Sequence, residues 1–208
     1  ASAGAALPDI EEDGEDEEAD YDEDDDLSYA SDELTIARLN VLERRGRYQE
    51  YLNLAAAMGQ VMHYTTMLVR LDRAREAVEY GLGHLATAED ALALAKVLRE
   101  REDLDGALKI AEHGLTLRTQ YGPPAALAAW LRDLAAGVGQ TELALKAALV
   151  AFNAELSLAS YLRVEELAGE SWPERRGGLI EELRRVRSYY PQGPVDIFLH
   201  EGLIDDAI

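Results

Sequence analysis

Glu102-Asp103-Leu104-Asp105-Gly106-Ala107-Leu108-Lys109-Ile110-Ala111 is the stretch whose pattern decides the fold. A turn residue, Glu102, is followed by a small residue five positions on, an aliphatic residue at six and a small residue at nine. The arrangement recurs behind Gly46, Asp72, Gly139 and Gly202. At offset five stand Tyr51, Ala77, Ala144 and Ala207, and at offset six Leu52, Val78, Leu145 and Ile208. At offset nine stand Ala55, Gly81 and Ala148, and the Gly202 copy runs past the end of the chain. Residues three and four apart share one face of a helix. Each copy is therefore a turn followed by a helix with a narrow apolar stripe, and small side chains on that stripe allow close helix packing.

The anchors are separated by 26, 30, 37 and 63 residues. The last gap holds two units if a weak copy is anchored near Pro173, with Gly178 and Leu179 at offsets five and six. It then divides into 34 and 29. Two-helix repeats of about 34 residues are tetratricopeptide-like, and such pairs bury their apolar faces only by stacking. The expected fold is all-α, a right-handed, tetratricopeptide-like helical-hairpin solenoid of about six units over residues 31–208. Helices are expected at about 32–45, 47–58, 60–71, 73–85, 88–101, 104–117, 124–137, 140–154, 156–169, 174–189 and from 194. Gly46, Gly59, Asp72, Gly122-Pro123-Pro124, Gly139, Pro173 and the stretch from Pro191 to Pro194 mark the joints. Ser31 is the expected N-cap of the first helix, and Thr87, with Asp90 three residues on, that of a later one.

Charge divides the chain. Residues 9–26 hold 14 of the 41 acids and no base, so 27 acids face all 20 bases elsewhere. Residues 1–30 contain little to bury and read as a disordered acidic segment. Asp9, Glu11, Asp13, Gly14 and Asp20 fall on calcium-loop positions. Glu at position 3, Asp at position 12 and the lack of flanking helices make this a chance match in an acidic run. The net-acidic body argues against general binding to phosphate backbones. Cysteine is absent, so no disulfide and no thiolate metal site can form on this chain. The longest apolar stretches, 125–131 and 147–152, fall far short of the roughly 20 residues a spanning helix needs. No signal peptide is visible. The expected location is cytoplasmic, with no membrane partner. The opening Ala1-Ser2-Ala3 and the unfinished last repeat read as a fragment of a longer protein.

Tyr51-Leu-Asn-Leu-Ala-Ala-Ala, Ala77-Val-Glu-Tyr-Gly, Ala91-Leu-Ala-Leu-Ala, Ala107-Leu-Lys-Ile-Ala-Glu-His-Gly-Leu and Trp130-Leu-Arg-Asp-Leu-Ala, with the closing Val195-Asp-Ile-Phe-Leu-His-Glu-Gly-Leu-Ile-Asp-Asp-Ala-Ile, carry a resemblance. Residues 35–208 resemble the helical region of prokaryotic SWIM zinc-finger proteins. The resemblance implies a parent protein that binds zinc through a Cys-x-Cys…Cys-x-His finger outside these repeats. No zinc ligand carries over to any position here, so no cofactor is expected on this chain. It also implies a protein partner, and nucleic acid through the parent. The early Trp and closing Pro of the standard tetratricopeptide signature are missing.

No catalytic constellation emerges. His63, His84, His113 and His200 each lie in an expected helix without a metal-ligating or HExxH neighbour. No Gly-x-Ser-x-Gly elbow or phosphate loop is present. The run Pro173-Glu-Arg-Arg-Gly-Gly-Leu-Ile-Glu-Glu-Leu-Arg-Arg-Val-Arg sets an apolar stripe of Leu179, Ile180, Leu183 and Val186 among Arg175, Arg176, Arg184, Arg185 and Arg187. It reads as a solvated face paired with Glu181 and Glu182, or as a docking site for an acidic partner. That partner would be nucleic-acid phosphate or the chain's own acidic segment. Arg44, Arg45 and Arg47 form a second basic group beside that segment. Tyr189 and Tyr190 follow the main run, where they would stack on bases or pack at a helix end. The expected function is a non-enzymatic protein–protein interaction scaffold. The alternative is a nucleic-acid-associated module using Arg175–Arg187, with the acidic arm as competitor.

Overall fold

One residue in the left-handed region closes each hairpin. Gly46, Asp72, Glu102, Gly139 and Gly202, the five anchors of the repeat, have φ of 68°, 59°, 64°, 77° and 72°. At each, the anchor's N–H and that of the next residue donate back into the preceding helix. Asp72 N donates to Val69 O at 3.2 Å and Arg73 N to Leu68 O at 2.9 Å. Glu102 N donates to Arg99 O at 2.9 Å and Asp103 N to Leu98 O at 3.0 Å. Gly139 N and Gln140 N repeat this onto Ala136 and Ala135. These paired bonds are the Schellman arrangement, which satisfies carbonyls left without partners at a helix end. The residue after the anchor is the N-cap position of the next helix, and at Asp103 the side chain also accepts from Gly106 N at 2.9 Å. Helix end and helix start thus share a joint of a few residues, and the two helices must fold back on one another.

The computed structural model describes residues 23–119, 122–185 and 192–208, with side chains from residue 32. Eleven α-helices follow in order among the described residues. They are α1 (Glu23–Arg44), α2 (Tyr48–Ala57), α3 (Val61–Arg70), α4 (Ala74–His84), α5 (Ala88–Glu100), α6 (Leu104–Gly114), α7 (Ala125–Gly137), α8 (Thr141–Ala154), α9 (Leu158–Ala168), α10 (Trp172–Arg185) and α11 (Gln192–His200). Short 3₁₀ turns occupy Gly169–Ser171 and Ile204–Asp206. Consecutive helices pack together throughout α1 to α10, and α5 with α6 and α7 with α8 share the most extensive faces. First helices also touch first helices, α3 on α5, α5 on α7 and α9 on α11, while α4 touches α6. Ion pairs link successive hairpins: Arg70 to Glu43 at 2.5 Å, Arg101 to Asp72 at 3.5 Å, Lys146 to Glu112 at 2.8 Å and Arg163 to Asp133 at 3.9 Å. Exposed pairs of this kind contribute little singly, so apolar burial holds the stack.

The stripe read from sequence is the core. At offsets five, six and nine, the residues of the first four copies are all buried. Ala77, Ala107 and Ala144 have no exposed surface. Three helices meet closely at Gly114, where an added Cβ would lie 2.5 Å from Ala91 Cβ and 2.6 Å from Leu127 Cδ2. Any side chain there would push α5, α6 and α7 apart. The core has two bodies that meet on α8. Ala144 and Ala147 belong to one, which extends back to Leu39. Leu145, Ala148 and Phe152 belong to the other, with Tyr161, Val164, Leu179, Ile180, Leu183, Ile197 and Phe198. In the second body the Tyr161 ring lies tilted to Phe152 at 5.9 Å and edge-on to Trp172 at 5.1 Å.

Several expectations need correction. α1 begins at Glu23, inside the stretch 1–30 expected to be disordered, and residues 1–22 lie outside the described residues. Glu23, Asp24, Asp25 and Asp26 fill its first turn, where the positive end of the helix dipole favours acids. Ser31 therefore lies inside α1 rather than capping it. Thr87 does cap α5, accepting from Asp90 N at 3.1 Å. Pro173 is not the joint of the weak repeat. It lies in the first turn of α10, where a missing N–H costs nothing. The joint is Gly169, with φ of 51° and ψ of −122°, whose N–H donates to Glu165 O. Of the residues assigned to that copy, Leu179 is buried and Gly178 exposed. Pro194 similarly sits near the start of α11, which begins at Gln192. The calcium-loop pattern of 9–20, Val186, Tyr189 and Tyr190 lie outside the described residues.

The joints predict opposite effects from two substitutions. Gly139 has open space around its Cβ position, so Gly139→Ala meets only the left-handed backbone cost and should lose about 1 kcal/mol. Glu102→Gly relieves the same strain and should gain about 0.5 kcal/mol. Thermal unfolding of the two variants against wild type checks both signs.

Candidate functional site

α10 presents its arginines because Leu179, Ile180 and Leu183 turn its apolar stripe into the second core. The guanidiniums flank that stripe, and two of them are committed within the fold. Arg176 Nε donates to Glu201 Oε2 at 2.5 Å, and the Tyr161 hydroxyl donates to Glu201 Oε1 at 2.7 Å. The Glu201 side chain is 9% exposed and Tyr161 is fully buried. Arg184 grips Asp206 in a two-pronged arrangement, Nε to Oδ1 at 3.0 Å and Nη2 to Oδ2 at 2.6 Å. Its third nitrogen reaches Glu181 Oε1 at 2.5 Å. Such paired guanidinium–carboxylate bonds are stronger than single neutral ones. Arg175 Nε donates to Ser171 Oγ at 3.2 Å. Arg185 is exposed and forms no ion pair among the described residues. Arg187 lies outside them.

The five-arginine run is thus divided. Arg176 and Arg184 clamp the end of α11 and the 3₁₀ turn after it onto α10. Arg175 and Arg185 remain turned to solvent, ten residues and about 15 Å apart along the helix. That separation exceeds the screening distance at physiological salt, so the two do not act as one anion site. Glu201 and Asp206, which decide this division, carry no local signal beside the run, since the partners lie 25 and 22 residues apart. Glu181 takes the pairing role expected of it.

The electrostatics follow from this geometry. Burial of Glu201 opposes its ionisation, but hydrogen bonds from Arg176 and Tyr161 and the Arg176 charge outweigh that effect. They hold its carboxyl below the ordinary range. Arg184 does the same to Asp206. Burial, followed by the hydrogen bond to Glu201, raises the Tyr161 hydroxyl. A lowered carboxyl pKa stabilises the fold above the unfolded value, and the contribution is lost as pH falls through the folded value.

The histidines do not converge. His63, His113 and His200 lie on α3, α6 and α11. His84 stacks on Tyr80 at 3.9 Å, with its Nδ1 2.9 Å from Tyr80 O. Among the described residues, no group of three His, Asp or Glu side chains is placed to hold a metal ion.

A second candidate surface was not anticipated. Where the α5–α6 joint faces the end of α7, Leu104, Trp130, Leu134 and Val138 line an open cleft of about 450 Å³, with Arg99 and Asp133 at its edges. Leu104 and Val138 keep 39% and 41% of their surface exposed. Asp133 is engaged by Arg132 at 2.7 Å, and that hydrogen bond holds its carboxyl low. Arg99 forms no ion pair among the described residues. The cleft therefore offers an apolar floor with one available cation. Its only signal in sequence is that Leu104 and Val138 stand beside hairpin joints, where a polar residue would serve equally well.

The clamp predicts acid sensitivity confined to one end. In a Trp130→Phe background, the fluorescence of Trp172, which touches Tyr161, should change as pH falls below about 4, before helicity is lost. Glu201→Gln should remove that early transition and cost about 1 kcal/mol at neutral pH.

In comparisons with known proteins, no family model matches the chain and no curated protein matches it significantly.

Proposed function

We propose that this chain is a non-catalytic protein-binding scaffold, a tetratricopeptide-like α-solenoid in which first helices build a surface that takes a segment of a partner protein. The observation that carries this reading is the recurrence of one joint and one buried stripe in successive hairpins, which spends the small and aliphatic residues on stacking. The outer faces of the first helices are left to vary. The cleft between the α5–α6 joint and α7 supports the same reading. An apolar floor beside an available guanidinium suits a peptide that offers a large apolar side chain next to a carboxylate. Following the resemblance to SWIM zinc-finger proteins, the zinc-binding part belongs to a parent protein and lies outside these repeats. The nucleic-acid alternative draws less support, because Arg176 and Arg184 are held by the fold's own carboxylates.

Capture of partners from the native host separates the readings. Leu104→Glu and Val138→Glu alter exposed side chains, so they should leave the helical spectrum and melting temperature close to wild type. They should also reduce recovery of the partner at least tenfold. Ala107→Arg and Ala144→Arg break the core and serve as unfolded controls. Equal recovery by the unfolded controls would refute a folded binding surface.

A further inference from the structure

A pocket of about 300 Å³ opens between α1 and α3, and Tyr51 lines it from α2. Tyr51 is only 4% exposed. Its hydroxyl makes no hydrogen bond among the described residues, yet no fully buried side-chain oxygen or nitrogen there lacks a partner. The small open part of the residue therefore includes the hydroxyl, which faces the pocket. Burial, then the charge of Glu43, raises this hydroxyl above its ordinary value, so it stands protonated as a donor at neutral pH. Three more polar side chains line the same space: Asn40 from α1, and His63 and Thr66 from α3. None of the three makes a side-chain hydrogen bond among the described residues. Four polar groups thus share one pocket with their bonding capacity unused.

Charge in the pocket is already balanced. Glu43 and Arg70 are the acid and the base that line it, and they pair with each other at 2.5 Å. An incoming carboxylate would meet Glu43 with no uncommitted guanidinium to receive it, and an incoming ammonium would meet Arg70 in the same way. The unused groups are a phenol, an alcohol, an amide and an imidazole, which both give and accept hydrogen bonds. A carboxamide matches that set, with an oxygen that accepts and a nitrogen that donates twice. Met62 and Met67 add adaptable apolar walls for a methylene stem. We propose that this pocket takes the carboxamide of a glutamine side chain carried by a segment of a partner protein. Tyr51 donates to the amide oxygen, while Thr66 and Asn40 accept from the amide nitrogen. Because α1 and α3 are first helices, this assignment rests on their proposed role as the partner-binding surface.

Methionine-methyl NMR tests it, because the chain's three methionines are Met58, Met62 and Met67, and Met58 lies outside the pocket lining. N-acetyl-glutamine methylamide, at concentrations on the order of 10 mM, should shift the Met62 and Met67 signals and leave Met58 in place. The glutamate and methionine counterparts should bind roughly fivefold more weakly or less. Tyr51→Phe should weaken the glutamine probe by a similar factor, about that of one lost hydrogen bond. Its melting temperature should stay at the wild-type value, since the hydroxyl bonds to nothing within the fold. Asn40→Ala, at an exposed position, should act in the same way. Absence of shifts overturns the proposal, as does equal binding of the three probes or wild-type binding by Tyr51→Phe. Propanamide binding as tightly as the glutamine probe overturns the peptide assignment, by marking a free small carboxamide as the ligand. Partner capture through Leu104 and Val138 reads a separate surface. If capture succeeds while the shifts are absent, only the glutamine assignment falls. If unfolded controls recover partners equally, the scaffold reading falls instead.

Discussion

Every hairpin depends on one backbone residue entering the left-handed region and returning two N–H groups to the helix it ends. With that residue in place, the next helix starts within two residues, its direction is reversed, and its fourth, fifth and eighth residues are buried. The regular core follows from the joint. Where the joint changes, at Gly169, the pattern changes with it. The chain continues through a 3₁₀ turn into α10, and buried positions shift to Leu179, Ile180 and Leu183.

This explains what could be read from the sequence. Gly46 and Gly139 are turn residues by type, whereas Asp72 and Glu102 were found only because the apolar stripe behind them has the same spacing. Their left-handed conformation confirms that the spacing, rather than glycine, carried the signal. The helix order and the stripe at residues 51–55, 77–81, 107–111 and 144–148 were legible for that reason. The start of α1 was not, since composition cannot distinguish an acidic run that resists folding from one that feeds a helix N-terminus. Pro173 misled because proline stops a helix in its interior but suits its first turn.

The arginine run shows a different limit. Sequence placed the guanidiniums on one helix beside an apolar stripe. It did not reveal that Glu201 and Asp206 return to meet Arg176 and Arg184. Long-range pairing of charges depends on where the last segment lands, and that in turn depends on Ile197 and Phe198 entering the second core. The cleft at Leu104 and Val138 was missed for a related reason. A single exposed leucine or valine is common on any surface, and it becomes informative only when the joint and α7 bring two such residues to one hollow.

α8 is buried on both sides, with Ala144 and Ala147 in one core and Leu145, Ala148 and Phe152 in the other. It works as a party wall between two houses. The hairpins on either side still meet across it, where Leu167 of α9 touches both cores and Arg163 of α9 reaches Asp133 of α7. The same wall cannot be removed from one side only, since losing either neighbour leaves α8 with a bare apolar face. Tolerance to change should therefore be lowest midway along the stack's C-terminal half, far from any residue with a chemical role.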